Sequence, residues 1–143
     1  MDKRVLQQRD AHYHWYCSQI YHLIHQLLPK VYLTGENLEW GGQQNGILVG
    51  YVLQRQAFTD IFCVRPRIMS HLTWLRDDVI ELKLYHDVCC AEITGIQGEL
   101  RQPATVAENW HAIKFNRSLD FNQKWQLNLL LFETLIYLKS YKT

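Results

Sequence analysis

What this chain lacks sets the first limits on what it can be. Its longest apolar run, Leu129 to Leu138, is interrupted by Glu133 and falls far short of the roughly 20 residues that carry a helix across a bilayer, so no membrane span is expected. Charge of neither sign dominates, with 15 Lys and Arg against 14 Asp and Glu. That balance removes the basic surplus through which counterion release drives non-specific nucleic-acid binding, and no nucleic-acid partner is expected. Met1-Asp2-Lys3-Arg4 leads into polar residues and no apolar segment follows, which argues against a secretory signal. The four cysteines, Cys17, Cys63, Cys89 and Cys90, show no C-x-x-C spacing and no scaffold-like density, so a reducing, cytoplasmic compartment fits them. They read as small apolar residues filling tight places in a sheet. With Cys89 and Cys90 adjacent on a strand, a bridge between them would be strained.

Proline and glycine are scarce, three and seven in 143 residues, so each one is informative. Neither occurs from about Val5 to Leu28, where Tyr13, Cys17, Ile20, Ile24 and Leu27 recur at steps of four, three, four and three. That spacing predicts a helix with one buried stripe, and Pro29 ends it. Residues 34–46 hold four of the glycines among polar residues and are expected to form a loop. Ile47–Leu53 and Phe58–Val64, rich in β-branched and aromatic residues around Gln54-Arg55-Gln56, predict a hairpin. Ile80, Leu82 and Leu84 alternate with Glu81 and Lys83, the pattern of a strand with one buried face and one wet face. The apolar set resumes at Cys89, Ala91 and Ile93 and Gly95 ends it, so residues 79–94 are expected to be a second antiparallel hairpin turning near Asp87. Short strands are expected at 96–100 and 111–115. Asp120 and Gln123 form a capping pair at the start of a last helix. Its stripe is Trp125, Leu129, Phe132 and Ile136, widened by Leu127, Leu130, Leu131, Leu135 and Leu138. The expectation is one α+β domain over 1–143, a central antiparallel sheet of four to five strands packed with an N-terminal and a C-terminal helix.

Three segments carry a family resemblance: Leu27-Leu28-Pro29, the hairpin from Leu84-Tyr85-His86-Asp87 to Glu92, and Lys124-Trp125-Gln126-Leu127-Asn128. Over roughly residues 13 to 136 the chain resembles the YqiB-like family of small bacterial proteins of unknown function. The resemblance implies a bacterial cytoplasmic α+β protein with a sheet between terminal helices, and it transfers no activity. The family usually has Tyr-Pro-Asn and an acidic, histidine-bearing stretch before the last helix; here Phe115-Asn116 and Asp120-Phe121 occupy that region.

Candidate chemistry is sparse. His86-Asp87 has the form of an oriented general-base or metal-binding dyad, yet no further ligands arrive at set intervals, and a turn-end histidine satisfied by backbone is the plainer reading. His14, His22 and His25 share a helix without a fixed acidic or cysteine partner, as a solvated flank would, and zinc wants three or four ligands. Ser70, Ser118 and Ser140 lie in no nucleophile elbow. Gly41 to Gly46 lacks the Lys-Ser/Thr of a phosphate loop. Arg65, Arg67 and Arg76 near Trp74 are offset by Asp77 and Asp78. No catalytic residue, no metal ligand and no cofactor is assigned, and the candidate binding residues are Tyr85, His86, Asp87, Glu92, Lys124, Gln126 and Asn128. A non-enzymatic protein-interaction or adaptor domain, with a protein partner or self-association as a dimer, is the leading expectation. A small-ligand-binding domain with a pocket lined by Tyr51, Phe62, Trp110 and Trp125 is the second. An enzyme using His86 and Asp87, with Glu92 and His111 next to test, is the third.

Overall fold

A computed structural model describes residues 3–28, 32–40, 48–66, 79–97 and 113–140. The long uninterrupted N-terminal stretch forms helix α1, Lys3–Leu27. Five strands follow, β1 Asn37–Trp40, β2 Leu48–Arg55, β3 Thr59–Pro66, β4 Val79–Tyr85 and β5 Cys90–Gln97, and helix α2 closes the order at Phe121–Ser140. The strands pair in sequence order, β1-β2-β3-β4-β5, every pair antiparallel. This is the expected α+β arrangement of one antiparallel sheet with a helix from each end of the chain.

Period-two patterning decides which face the helices cover. Val52, Phe62, Val64, Ile80, Leu82, Leu84, Ala91 and Ile93 bury their side chains against Ile20, Ile24, Leu131, Leu135 and Leu138 from the two helices. A fully buried side chain of this size contributes about 1.5–3 kcal/mol, so this layer dominates the stability of the fold. The opposite face carries a smaller cluster of Cys63 and Val79, with Tyr51, Leu53, Ile113 and Phe115 packed on it. At the start of α2, Gln123 N–H donates to Asp120 Oδ1 at 2.8 Å while Asp120 N–H donates to Gln123 Oε1 at 3.0 Å, the reciprocal cap foreseen from sequence.

Several details depart from the sequence pattern. Residues 37–40, expected as loop, add strand β1 at the sheet edge; the glycines and polar residues around so short a strand conceal it in composition. Glu81 was placed on a wet face but is buried, held by Arg117 and Thr94. Gly95 does not end β5, which runs to Gln97. A Cβ on Gly95 would lie 2.9 Å from Phe115 Cβ and 3.3 Å from Arg117 Cγ, so the glycine admits the chain at residues 115–117 where Ile96 and Asn116 exchange backbone hydrogen bonds. The short strand expected at 111–115 does not form at its described residues 113–115, the isolated bridge falling at Asn116; residues 98–112 lie outside the described set. Cys89 sits in the β4–β5 turn with φ of 52° rather than on a strand. All four cysteines are free thiols, and Cys89 alone is exposed. In α2 the buried face is Asn128, Leu131, Leu135 and Leu138, while Ile136 and Tyr137 stay about half exposed. The expected Trp125–Ile136 stripe is the flank of the helix, where Phe132 meets Trp15 and Tyr16 of α1. No helix among the described residues is long and apolar enough to cross a membrane.

Candidate functional site

Two clusters of polar side chains join the helices to the sheet. The first forms at the end where the β2–β3 and β4–β5 turns meet. Asp60 follows Thr59 on β3 with the parity of Phe62 and Val64, so its carboxylate points into the core side and is completely buried. An ionised carboxylate there needs donors. Tyr32 supplies one from the segment after α1, its hydroxyl donating to Asp60 Oδ2 at 2.5 Å. His86, the first residue beyond β4, brings Nε2 to the same oxygen at 2.8 Å. Arg55, directly opposite Asp60 in the β2–β3 register, donates from Nε to Oδ1 at 3.4 Å and from Nη1 to the Tyr32 carbonyl at 2.7 Å. The guanidinium lies 4.4 Å from the Tyr32 ring centroid, a cation–π stack.

Burial alone would raise the Asp60 carboxyl, but the hydrogen bonds from Tyr32 and His86 and the charges of His86 and Arg55 outweigh it and hold the group below its ordinary value. An ionised Asp60 only accepts, so His86 Nε2 carries a proton. In the neutral ring Nδ1 is then an acceptor, and the Tyr21 hydroxyl of α1 donates to it across 2.8 Å. The carboxylate thus fixes the imidazole tautomer. His25, one helical turn beyond Tyr21, packs its ring 4.4 Å from Tyr21 and 5.8 Å from His86. Desolvation first, then His86 and His22, lower its basicity, with Asp60 opposing.

The second cluster stitches α1, β5 and α2 together. Tyr13 donates a short hydrogen bond to Glu92 Oε2, and Tyr85 reaches Oε1 at 3.4 Å. Asn128 accepts the Ile93 N–H on Oδ1 at 2.8 Å and donates from Nδ2 to the Lys124 carbonyl at 2.8 Å and to Tyr13 at 3.3 Å. Burial, then Glu92, pushes the neighbouring Cys17 thiol up to about 12, and burial and Glu92 do the same to Tyr85, to about 12. Phe121 and Trp125 wall the cluster at 5.5 and 5.9 Å from the Tyr13 ring.

The candidate residues therefore divide. Tyr85, Glu92 and Asn128 come together in the second cluster, with Lys124 contributing its carbonyl. His86 belongs to the first. Asp87 is exposed in the turn, and both ring nitrogens of His86 are engaged by Asp60 and Tyr21 instead; the turn-end histidine is satisfied by side chains, and its backbone N–H goes to the Phe58 carbonyl at 2.8 Å. Gln126 is exposed on the far side of α2. The pocket-lining set is not assembled: Phe62 faces the helices, Tyr51 packs on the opposite sheet face, and Trp125 lies at the helix seam. Trp110, His111, His71, Ser70, Arg67, Arg76 and the Gly41–Gly46 segment lie outside the described residues. Asp60, Tyr21, Tyr32 and Arg55 were missed. Asp60 could have been found, because a carboxylate two residues before Phe62 on an alternating strand must face inward and must then be paired.

Fold and site together define an α+β protein whose polar networks hold a small sheet beneath two helices and leave an ionisable patch at one sheet end. The sequence profile described as "Protein of unknown function (DUF1249)" matches residues 23–142, and the chain belongs to that family. No curated protein and no solved structure matches it.

Proposed function

We propose that this protein is a non-enzymatic interaction module of the YqiB-like kind, working in the bacterial cytoplasm, and that its contact face is the sheet end around Asp60 and His86. One observation carries the reading. Three large apolar side chains stand exposed beside that network: Leu33 at 62%, Phe58 at 64% and Val88 at 58% of their full surface. Leu33 follows Tyr32, Phe58 gives its carbonyl to His86, and Val88 lies two residues beyond His86. Exposed apolar anchors beside fixed ionisable groups are what a specific protein contact uses: area from the former, register from the latter. A photo-crosslinking side chain at Phe58 or Val88 should yield one discrete protein adduct in the producing cell, while the same group at Glu133 of α2 should not. Adducts formed from α2 and none from the turns would move the contact face to the helices and refute the assignment.

A second reading, an enzyme with His86 as acid or base, is favoured by the buried carboxylate that orients the ring. It requires a turnover that vanishes in both Asp60→Asn and His86→Gln while circular dichroism is unchanged. Absence of turnover across generic ester, phosphoester and amide substrates counts against it.

A further inference from the structure

Arg55 is held more firmly than an arginine at a strand end needs to be. Its Nε and one Nη1 hydrogen are spent on Asp60 and the Tyr32 carbonyl, and the guanidinium sits over the Tyr32 ring. The side chain is nevertheless 41% exposed. Asp60 is the only carboxylate within ion-pair distance of it among the described residues, and that carboxylate is fully buried and already takes two shorter hydrogen bonds. Glu36 and Asp87, both exposed, do not pair with it. Of the five guanidinium donors three remain without an acceptor among the described residues. A fork that is fixed by stacking and half open to water loses little freedom on meeting an oxyanion, which is the arrangement that gives arginine its selectivity for carboxylates.

We propose that Arg55 reads a carboxylate on the segment that docks at this face, so that the partner is an acidic peptide with apolar side chains seated on Leu33, Phe58 and Val88. The inference rests on the contact face proposed above and adds the chemistry of what covers it. The geometry makes sense of the stack: Tyr32 and the buried, ionised Asp60 hold the guanidinium from within through the ring face and Nε, and the remaining donors are left for a carboxylate arriving from outside. A free phosphate offers the same oxygens without the apolar residues, and a basic peptide offers neither.

The test uses the isotope-labelled full chain and three synthetic peptides matched in leucine and phenylalanine content, whose polar positions are all Glu, all Gln or all Lys. Amide shifts at Arg55, Phe58 and Val88 are expected with the Glu peptide, with affinity at least about tenfold above the Gln peptide, the factor a charge-assisted hydrogen-bonded pair carries. Arg55→Lys, which keeps the charge and loses the fork, should erase most of that preference. Phe58→Ser should weaken Glu and Gln peptides alike. Equal binding of Glu and Gln peptides at this face would overturn the carboxylate reading and leave the contact face standing. Binding of none of them, or shifts confined to α2, would overturn both. Inorganic phosphate shifting Arg55 as strongly as the Glu peptide would overturn the peptide as occupant.

Discussion

Asn128 offers the sharpest check on how this fold is held. It sits buried on α2, and its side-chain amide is fully used: the oxygen takes the outward-pointing Ile93 N–H of the edge strand β5, and the nitrogen serves Lys124 O and Tyr13 Oη. Truncation in Asn128→Ala leaves the Lys124 carbonyl with its own helical geometry and Tyr13 with Glu92, but it strands the buried Ile93 N–H. An orphaned buried donor costs about 1–3 kcal/mol, and the lost packing adds to it, so a destabilisation of about 2–3 kcal/mol is expected in urea melts at neutral pH with an unchanged m-value. Asn128→Asp keeps the acceptor and replaces the donor with an oxygen facing the Lys124 carbonyl and the Tyr13–Glu92 pair. Burial and Glu92 would raise the introduced carboxyl, so its penalty is present above that raised value and relieved as pH falls and the group protonates. The Asn128→Asp protein should therefore gain stability relative to wild type on mild acidification. Hydrogen exchange at Ile93 reads the cap directly and should accelerate in Asn128→Ala more than at Leu82. A change below about 0.5 kcal/mol, within the range of ordinary surface substitutions, with Ile93 exchange untouched, would show that the edge is held by packing alone.

Other outcomes follow from the same contacts. Asp60 and Glu81 both sit below their ordinary values, Glu81 because hydrogen bonds from Arg117 and Thr94 and the Arg117 charge outweigh its desolvation; their stabilisation is complete above the unfolded values of 3.8 and 4.5 and disappears as pH falls through the lower folded ones. Acid melts should steepen below about pH 4.5, and Glu81→Gln should flatten that slope. Gly95→Ala forces a methyl to within 2.9 Å of Phe115 Cβ and should cost about 1–3 kcal/mol in thermal or urea unfolding, the penalty of overpacking. Of the four thiols Cys89 alone is exposed; a thiol reagent should label it rapidly in native protein. Cys17 and Cys63, whose thiols burial pushes up to about 12, should resist until the chain unfolds, and equal labelling of all four would contradict the packing.

Local sequence carries most of this architecture because its signals are local. Helix α1, the two hairpins and the Asp120–Gln123 cap each depend on residues a few positions apart, where period, proline and capping chemistry suffice. Strand β1 escaped because four residues at an edge, with Asn37 and Glu39 alternating against Leu38 and Trp40, resemble a polar loop in composition. Glu81 escaped for a different reason: its inward burial depends on Arg117, 36 residues away, and no window along the chain reveals a partner at that distance. His86 illustrates the same limit from the side of function. Its neighbour in sequence, Asp87, suggested the dyad, while the true carboxylate arrived from β3, 26 residues earlier.

The two polar clusters differ in how much of their hydrogen-bonding capacity they leave to water. Tyr85, Glu92 and Asn128 join Tyr13 in a seam where every strong donor or acceptor described is used internally, so their pattern specifies how α2 closes the open edge of β5. The ionisable groups left with exposure, Arg55 and His86, come from the turns at the opposite end of the helix stripe, held by Tyr21, Tyr32 and Asp60 from three separate segments. Networks of the first kind stabilise by satisfying buried polar groups, and substitutions there should be read as losses of fold. Networks of the second kind spend buried charge to orient side chains that still meet water, which does little for stability that an apolar pair would not do as well. That device, at one end of the sheet and ringed by uncovered Leu33, Phe58 and Val88, is what the proposed contact face rests on.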